Sequence, residues 1–137
     1  MATKKKSWVQ KRDCGKAPHV TIIDKAFAGI PGGSKLLISS PLEIDQFVRS
    51  VPKGKIIEPQ DMRKELAKRH QADATCPVST GIFLRIVAEA ALEEYKSGMA
   101  LNKIAPFWRV IKQGTPLSKK LSIGSDEWNI ITKLAGE

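Results

Sequence analysis

The sequence predicts an α+β fold that is mainly α. Three observations carry this. Beyond residue 40, apolar residues recur at helical spacing in successive segments. Each of those segments opens on a Ser or Pro suited to a helix start. Before residue 40, apolar runs are short and bounded by Gly, Pro and Ser, as strands are. At 137 residues, 42% apolar and 27% charged, the chain can hold one core without disulfides or metal.

Residues 1–19 are polar and basic. Lys4, Lys5, Lys6, Lys11, Arg12 and Lys16 are interrupted only by Trp8 and Val9, so the segment reads as a loosely packed or disordered basic arm. Residues 20–40 form a strand-and-turn extension: short strands at 20–23 and 35–39, with a turn at Ile30-Pro31-Gly32-Gly33-Ser34 between them. Residues 41–137 form the main domain.

Ser40-Pro41 opens its first helix. Ser40 can cap, Pro41 suits the first helical position, and Glu43 and Asp45 complement the positive end. Leu42, Ile44, Phe47, Val48 and Val51 give the buried stripe, and Pro52-Lys53-Gly54 ends it. Pro59 opens the second helix, with Met62, Leu66 and Ala67 inward and a basic end at Lys68-Arg69-His70. After a linker at 71–75, Cys76-Pro77 starts the longest helix, running to about Tyr95, with Ile82, Phe83, Ile86, Val87, Ala90 and Ala91 at helical spacing. Residues 107–111 and 117–121 then read as two strands joined by a Gln113-Gly114 turn. Ser125-Asp126-Glu127 caps a last helix with Trp128, Ile131 and Leu134 inside. Helices followed by a hairpin in this order make a winged helix-turn-helix.

The net charge of +9 favours a polyanionic partner, and double-stranded DNA is the first candidate. Lys64, Lys68 and Arg69 on the second helix, and Lys112, Lys119 and Lys120 on the wing, are the expected phosphate contacts. Ser79 and Thr80, early on the third helix, are small polar residues suited to a helix lying in a groove. No apolar run is long enough to span a bilayer, and no apolar stretch follows the N-terminal lysines as it would in a signal peptide. Two distant cysteines fit a reducing cytosol, so the expected location is cytoplasmic, and nucleoid-associated in a bacterium. No cofactor, metal or small-molecule substrate is expected. Cys14, His19, His70 and Cys76 match no zinc-ligand spacing, and Ser34-Lys35 reverses the order a phosphate-binding loop needs.

The ordered motifs from residue 41 onward resemble the DNA-binding domain of the O6-alkylguanine-DNA alkyltransferases. Val51-Pro52-Lys53-Gly54-Lys55 resembles the turn before that family's first DNA-facing helix, and the run from Gln60 to Ala67 resembles the helix itself. The run from Cys76 to Gly81 resembles the start of its recognition helix, and Lys112-Gln113-Gly114 its wing. Pro106-Phe107-Trp108-Arg109-Val110 resembles the family's Pro-Cys-His-Arg-Val motif. The resemblance implies that Phe107 stands in the seat of the alkyl-accepting cysteine and Trp108 in that of its activating histidine, with Arg109 structural. It also implies that Pro59 and Thr80 replace the tyrosine and arginine that handle an extruded nucleotide.

A benzyl ring cannot accept an alkyl group as a thiolate does. The expectation is therefore a non-catalytic DNA-binding protein similar to the alkyltransferase-like proteins, with alkylated or otherwise damaged DNA as a candidate target. Two readings of Phe107 and Trp108 stand side by side: a filled former pocket that is now core, and a stacking surface for a base. Two other functions also stand open. One is a protein-interaction module on a degenerate form of the fold. The other is an enzyme using Cys76, whose place at a helix start would activate a thiol.

Overall fold

The computed structural model describes residues 6–137; Lys4 and Lys5 of the expected arm lie outside the described residues. The fold is α+β and mainly helical. In chain order it comprises α1 (Trp8–Arg12), β1 (His19–Ile22), β2 (Lys35–Ile38), α2 (Pro41–Ser50), α3 (Pro59–Arg69), β3 (Ala74–Thr75), α4 (Pro77–Lys96), α5 (Pro116–Lys120) and α6 (Ser125–Leu134). Two 3-10 turns, Leu101–Lys103 and Phe107–Arg109, lie between α4 and α5. No described helix is long and apolar enough to cross a membrane.

The 20-residue α4 is the axis of the fold, and α1, α2, α3, α5 and the Phe107–Arg109 turn all touch it. Ala88, Ala90 and Ala91 are fully buried along it, and their small side chains let neighbouring elements approach closely. Leu84 and Val87 from α4 join Ile44, Phe47 and Val48 from α2, Met62 and Leu66 from α3, and Trp128 and Ile131 from α6 in one core. Ser40 caps α2 by accepting from the Glu43 amide at 3.1 Å, with Pro41 in the first turn.

The sheet sets where α4 begins. β2 is central, antiparallel to β1 (Val20 opposite Leu37) and parallel to β3 (Leu37 opposite Thr75). Its Leu36 and Leu37 are buried, while every β1 residue is exposed. The Cys76 amide donates to the Leu37 carbonyl at 2.9 Å, which fixes the first residue before α4 to the sheet. Asp73 accepts from the Lys35 amide at 2.8 Å and pins the other end of the same short pairing.

Three sequence expectations are corrected here. The segment read as a loose arm contains α1, which is docked on α4. Its Ser7–Gln10 capping box is complete, Glu93 accepts from the Trp8 amide at 3.1 Å, and Arg12 is only 9% exposed against Glu94. The expected hairpin wing is not formed: residues 107–111 hold a 3-10 turn and residues 117–121 lie largely in α5. Phe107, Trp108, Val110 and Ile111 are apolar because all four are buried, not because they alternate across a strand. Thr115, accepting from the Ser118 amide, and Pro116 start α5 as Ser40 and Pro41 start α2. Within the helices, Leu42 and Leu134, expected inward, are 37% and 66% exposed, and Ile82, at helical spacing with buried neighbours, is 55% exposed.

Candidate nucleic-acid interface

Helical spacing places Gln60, Lys64 and Lys68 on one side of α3, and Arg63 and Ala67 beside them. This side forms a groove of about 530 Å³ against the 28–30 loop, β3 and Pro77 at the start of α4. Arg63, Lys64 and Lys68 all line it. Its one acidic lining residue, Asp73, already accepts from the Lys35 amide. Lys64 and Lys68 thus line one groove, and Arg63 and Gln60 join them. Their spacing of three and four residues was the signal that could have found them.

The other expected contacts do not converge there. Arg69 is exposed but sits over the Phe47 ring at 5.3 Å and pairs with Glu65 at 3.5 Å. Thr80 is 1% exposed and returns its hydroxyl to the Cys76 carbonyl at 2.6 Å, so it faces the core rather than a ligand. Ser79 is half-buried, and its Oγ is enclosed with no partner among the described residues. Lys112 forms an ion pair with Glu58, which offsets its charge. Lys119 and Lys120 are exposed at the C-terminal end of α5 rather than on a wing. Lys120 borders a second groove, between α1, α4 and α5. Pro77 lines the first groove and Val78 the second, so the two meet at the start of α4.

The segment Pro106-Phe107-Trp108-Arg109-Val110 is built as core. Phe107 is 1% exposed and meets Trp108 and Trp128 edge to face, with ring centroids 5.2 and 5.4 Å away. Trp108 is also buried, and its indole N–H donates to Glu137 Oε1 at 2.8 Å. Arg109 Nε donates to the same oxygen at 2.5 Å, and Arg109 Nη1 donates to the Val51 carbonyl at 2.8 Å. The Arg109 carbonyl accepts from the Ile57 amide at 2.8 Å, so the motif is stitched to the loop between α2 and α3. Burial alone would raise the Glu137 carboxyl, but hydrogen bonds from Arg109, Trp108 and the Gly54 amide outweigh it and hold the group below its ordinary value. Beside this network lies an open cleft of about 570 Å³ with Arg49, Lys53 and Arg109 on its wall. Arg49 is occupied by Asp45 and the Lys103 carbonyl, as Arg109 is by Glu137 and Val51.

Cys76 is 6% exposed and lines neither of the two grooves that meet at the start of α4. Cys14 is exposed. Compared with protein-family models, curated proteins and solved structures, the chain matches none.

Proposed function

We propose that this chain is a non-catalytic DNA-binding protein that grips the phosphate backbone of a duplex through α3. The carrying observation is the convergence of Arg63, Lys64 and Lys68 on one groove whose one lining acid is already engaged. With a net charge of +9, that gives a concentrated cationic strip on a cationic body. We read α3 and α4 as the helix-turn-helix pair, without a wing. Phosphate contacts fix register and carry no base information. The exposed side chains early on α4, Val78 and Ile82, have no hydrogen-bonding groups to read base edges. The proposed binding is therefore independent of sequence. The burial of Phe107 and Trp108 supports their reading as filled core over that of a stacking surface, so O6-methylguanine is given no privileged seat at the motif. A duplex-DNA ligand is in keeping with a cytoplasmic location, nucleoid-associated in a bacterium.

The test is a fluorescence-anisotropy titration of paired duplexes, with and without one O6-methylguanine, at two salt concentrations. Three phosphate contacts predict a loss of about 40-fold in affinity between roughly 50 and 200 mM salt. The two duplexes should bind equally, and a Lys64→Glu/Lys68→Glu variant should lose most of the binding. Absent or salt-independent binding overturns the proposal.

A further inference from the structure

We infer that the groove between α1, α4 and α5 is a docking site for an acidic amphipathic helix of a protein partner. The groove has a volume of about 560 Å³. Its floor is apolar: Val78 and Ile82, four residues apart on α4, are each 55% exposed, and Ile86 continues the line. Most other apolar residues of α4 are buried in the core, so this stripe is a helix face without a partner among the described residues. Gly81 lies between Val78 and Ile82, and a side chain added there would meet nothing within 4 Å, so an approaching helix can come close to the backbone.

The rim supplies the charge. Lys11 comes from α1, Arg85 from α4 and Lys120 from α5; none forms a salt bridge with a described residue, and no acidic residue lines the groove. Trp8 holds two of these cations in place, with Lys11 Nζ 4.2 Å and the Arg85 guanidinium 5.3 Å from its ring centroid. An apolar floor with a cationic rim complements a helix whose apolar residues recur at i, i+3, i+4 and i+7 and whose flanks carry carboxylates. A nucleic-acid strand would match the rim but not the floor, where no described residue presents a hydroxyl or amide side chain. The two grooves meet at the start of α4, but this one does not contain Arg63, Lys64 or Lys68, so charge reversal on α3 and substitution at Ile82 distinguish failure of one proposal from failure of the other.

The experiment is a polarisation titration of the full chain with a fluorescein-labelled amphipathic helical peptide carrying leucines at i, i+3, i+4 and i+7 and glutamates elsewhere. Two controls accompany it: a peptide of the same composition in scrambled order, and one with lysines for glutamates. The ordered acidic peptide should bind, and both controls should bind at least about tenfold more weakly. Ile82→Glu and Lys120→Glu should each weaken binding by about tenfold, while Lys64→Glu/Lys68→Glu leaves it unchanged. Both groove positions are exposed, so unchanged thermal melts would confirm that these variants fold. Equal binding of the scrambled peptide, no binding of the ordered one, or indifference to Ile82→Glu overturns the proposal. So does a result in which Ile82→Glu abolishes duplex-DNA binding and the ordered peptide does not bind, which would assign the groove to nucleic acid.

Discussion

Arg109 Nε lies 2.5 Å from Glu137 Oε1, with the two side chains only 16% and 14% exposed. The same carboxylate takes the Trp108 indole N–H and, through Oε2, the Gly54 amide. One side chain thus ties the end of α6 to the central motif and to the turn after α2. Glu137→Gln removes the charge from three donors at once. The expected cost is about 1 kcal/mol, the low end for charge-assisted hydrogen bonds because the residue borders solvent. Thermal unfolding at neutral pH measures it.

The same group predicts an acid dependence. Folding lowers the Glu137 carboxyl below its ordinary value of 4.5. Its contribution is therefore fully present above that value and is lost as pH falls through the lower, folded value. The stability gap between wild type and Glu137→Gln should narrow as pH drops below about 4.5, and denaturant melts across pH 3 to 6 check this. A gap that is constant over that range would mean that the carboxylate contributes shape rather than charge.

The structure also separates what the sequence could show from what it could not. Helices α2, α3 and α4 were legible because helical periodicity and start signals agree in them, as with Ser40-Pro41 followed by Ile44, Phe47 and Val48. Residues 107–111 were misread because a short, wholly buried apolar run looks alike as strand or turn. Two missed helices did carry local signals: the Ser7–Gln10 capping box of α1 and the Thr115-Pro116 start of α5. On α3, Lys64 and Lys68 could be placed by spacing. No local pattern could pair Lys112 with Glu58, bring Arg85 onto the Trp8 ring that Lys11 faces from three residues on, or send Arg109 to Glu137. Those pairings are products of tertiary packing. Thr80 shows the converse: a polar residue at the start of a helix reads as a contact, yet here it satisfies itself on the Cys76 carbonyl and is buried.

Placing a cysteine at position 107 should not create alkyl transfer. Phe107 is 1% exposed and flanked by two edge-on indoles, so the thiol of Phe107→Cys would sit in a cavity within the core. The substitution should cost about 3 kcal/mol through lost apolar contact and the void left behind. The folded variant should transfer no label from a duplex carrying O6-methylguanine, and its new thiol should react with a thiol reagent only on unfolding. Stoichiometric transfer at neutral pH would show that the motif opens to ligand.

The native thiols make a related prediction that bears on an enzyme using Cys76. A nucleophile must be reachable, and Cys76 is 6% exposed, whereas Cys14 is exposed. Native protein should show one fast thiol, absent in Cys14→Ser, and a second should appear only in denaturant. A fast thiol that survives in Cys14→Ser would reopen the case for Cys76 chemistry.

The docking of α1 yields the last prediction. Arg12 is 9% exposed and donates to both oxygens of Glu94, at 2.7 and 3.3 Å, while Asp13 accepts from its Nε and Nη2 at 2.9 and 3.2 Å. Hydrogen bonding to Asp13, then to Glu94, strengthens its positive charge against the opposing effect of burial. Removing it leaves Glu94, itself 13% exposed, without its partner. Breaking such a pair costs more than the pair contributed, because the abandoned charge stays poorly solvated unless the helix moves away. A five-residue helix cannot hold itself together once its anchor is gone. Arg12→Ala should therefore release α1 and leave the core formed: tryptic cleavage after Lys11 and Lys16 should accelerate by at least about tenfold, while the main thermal transition shifts only slightly. Glu94→Gln keeps one oxygen acceptor and should produce a weaker version of the same effect. If Arg12→Ala instead lowers the main transition and leaves cleavage unchanged, α1 is part of the cooperative core and not a separately docked element.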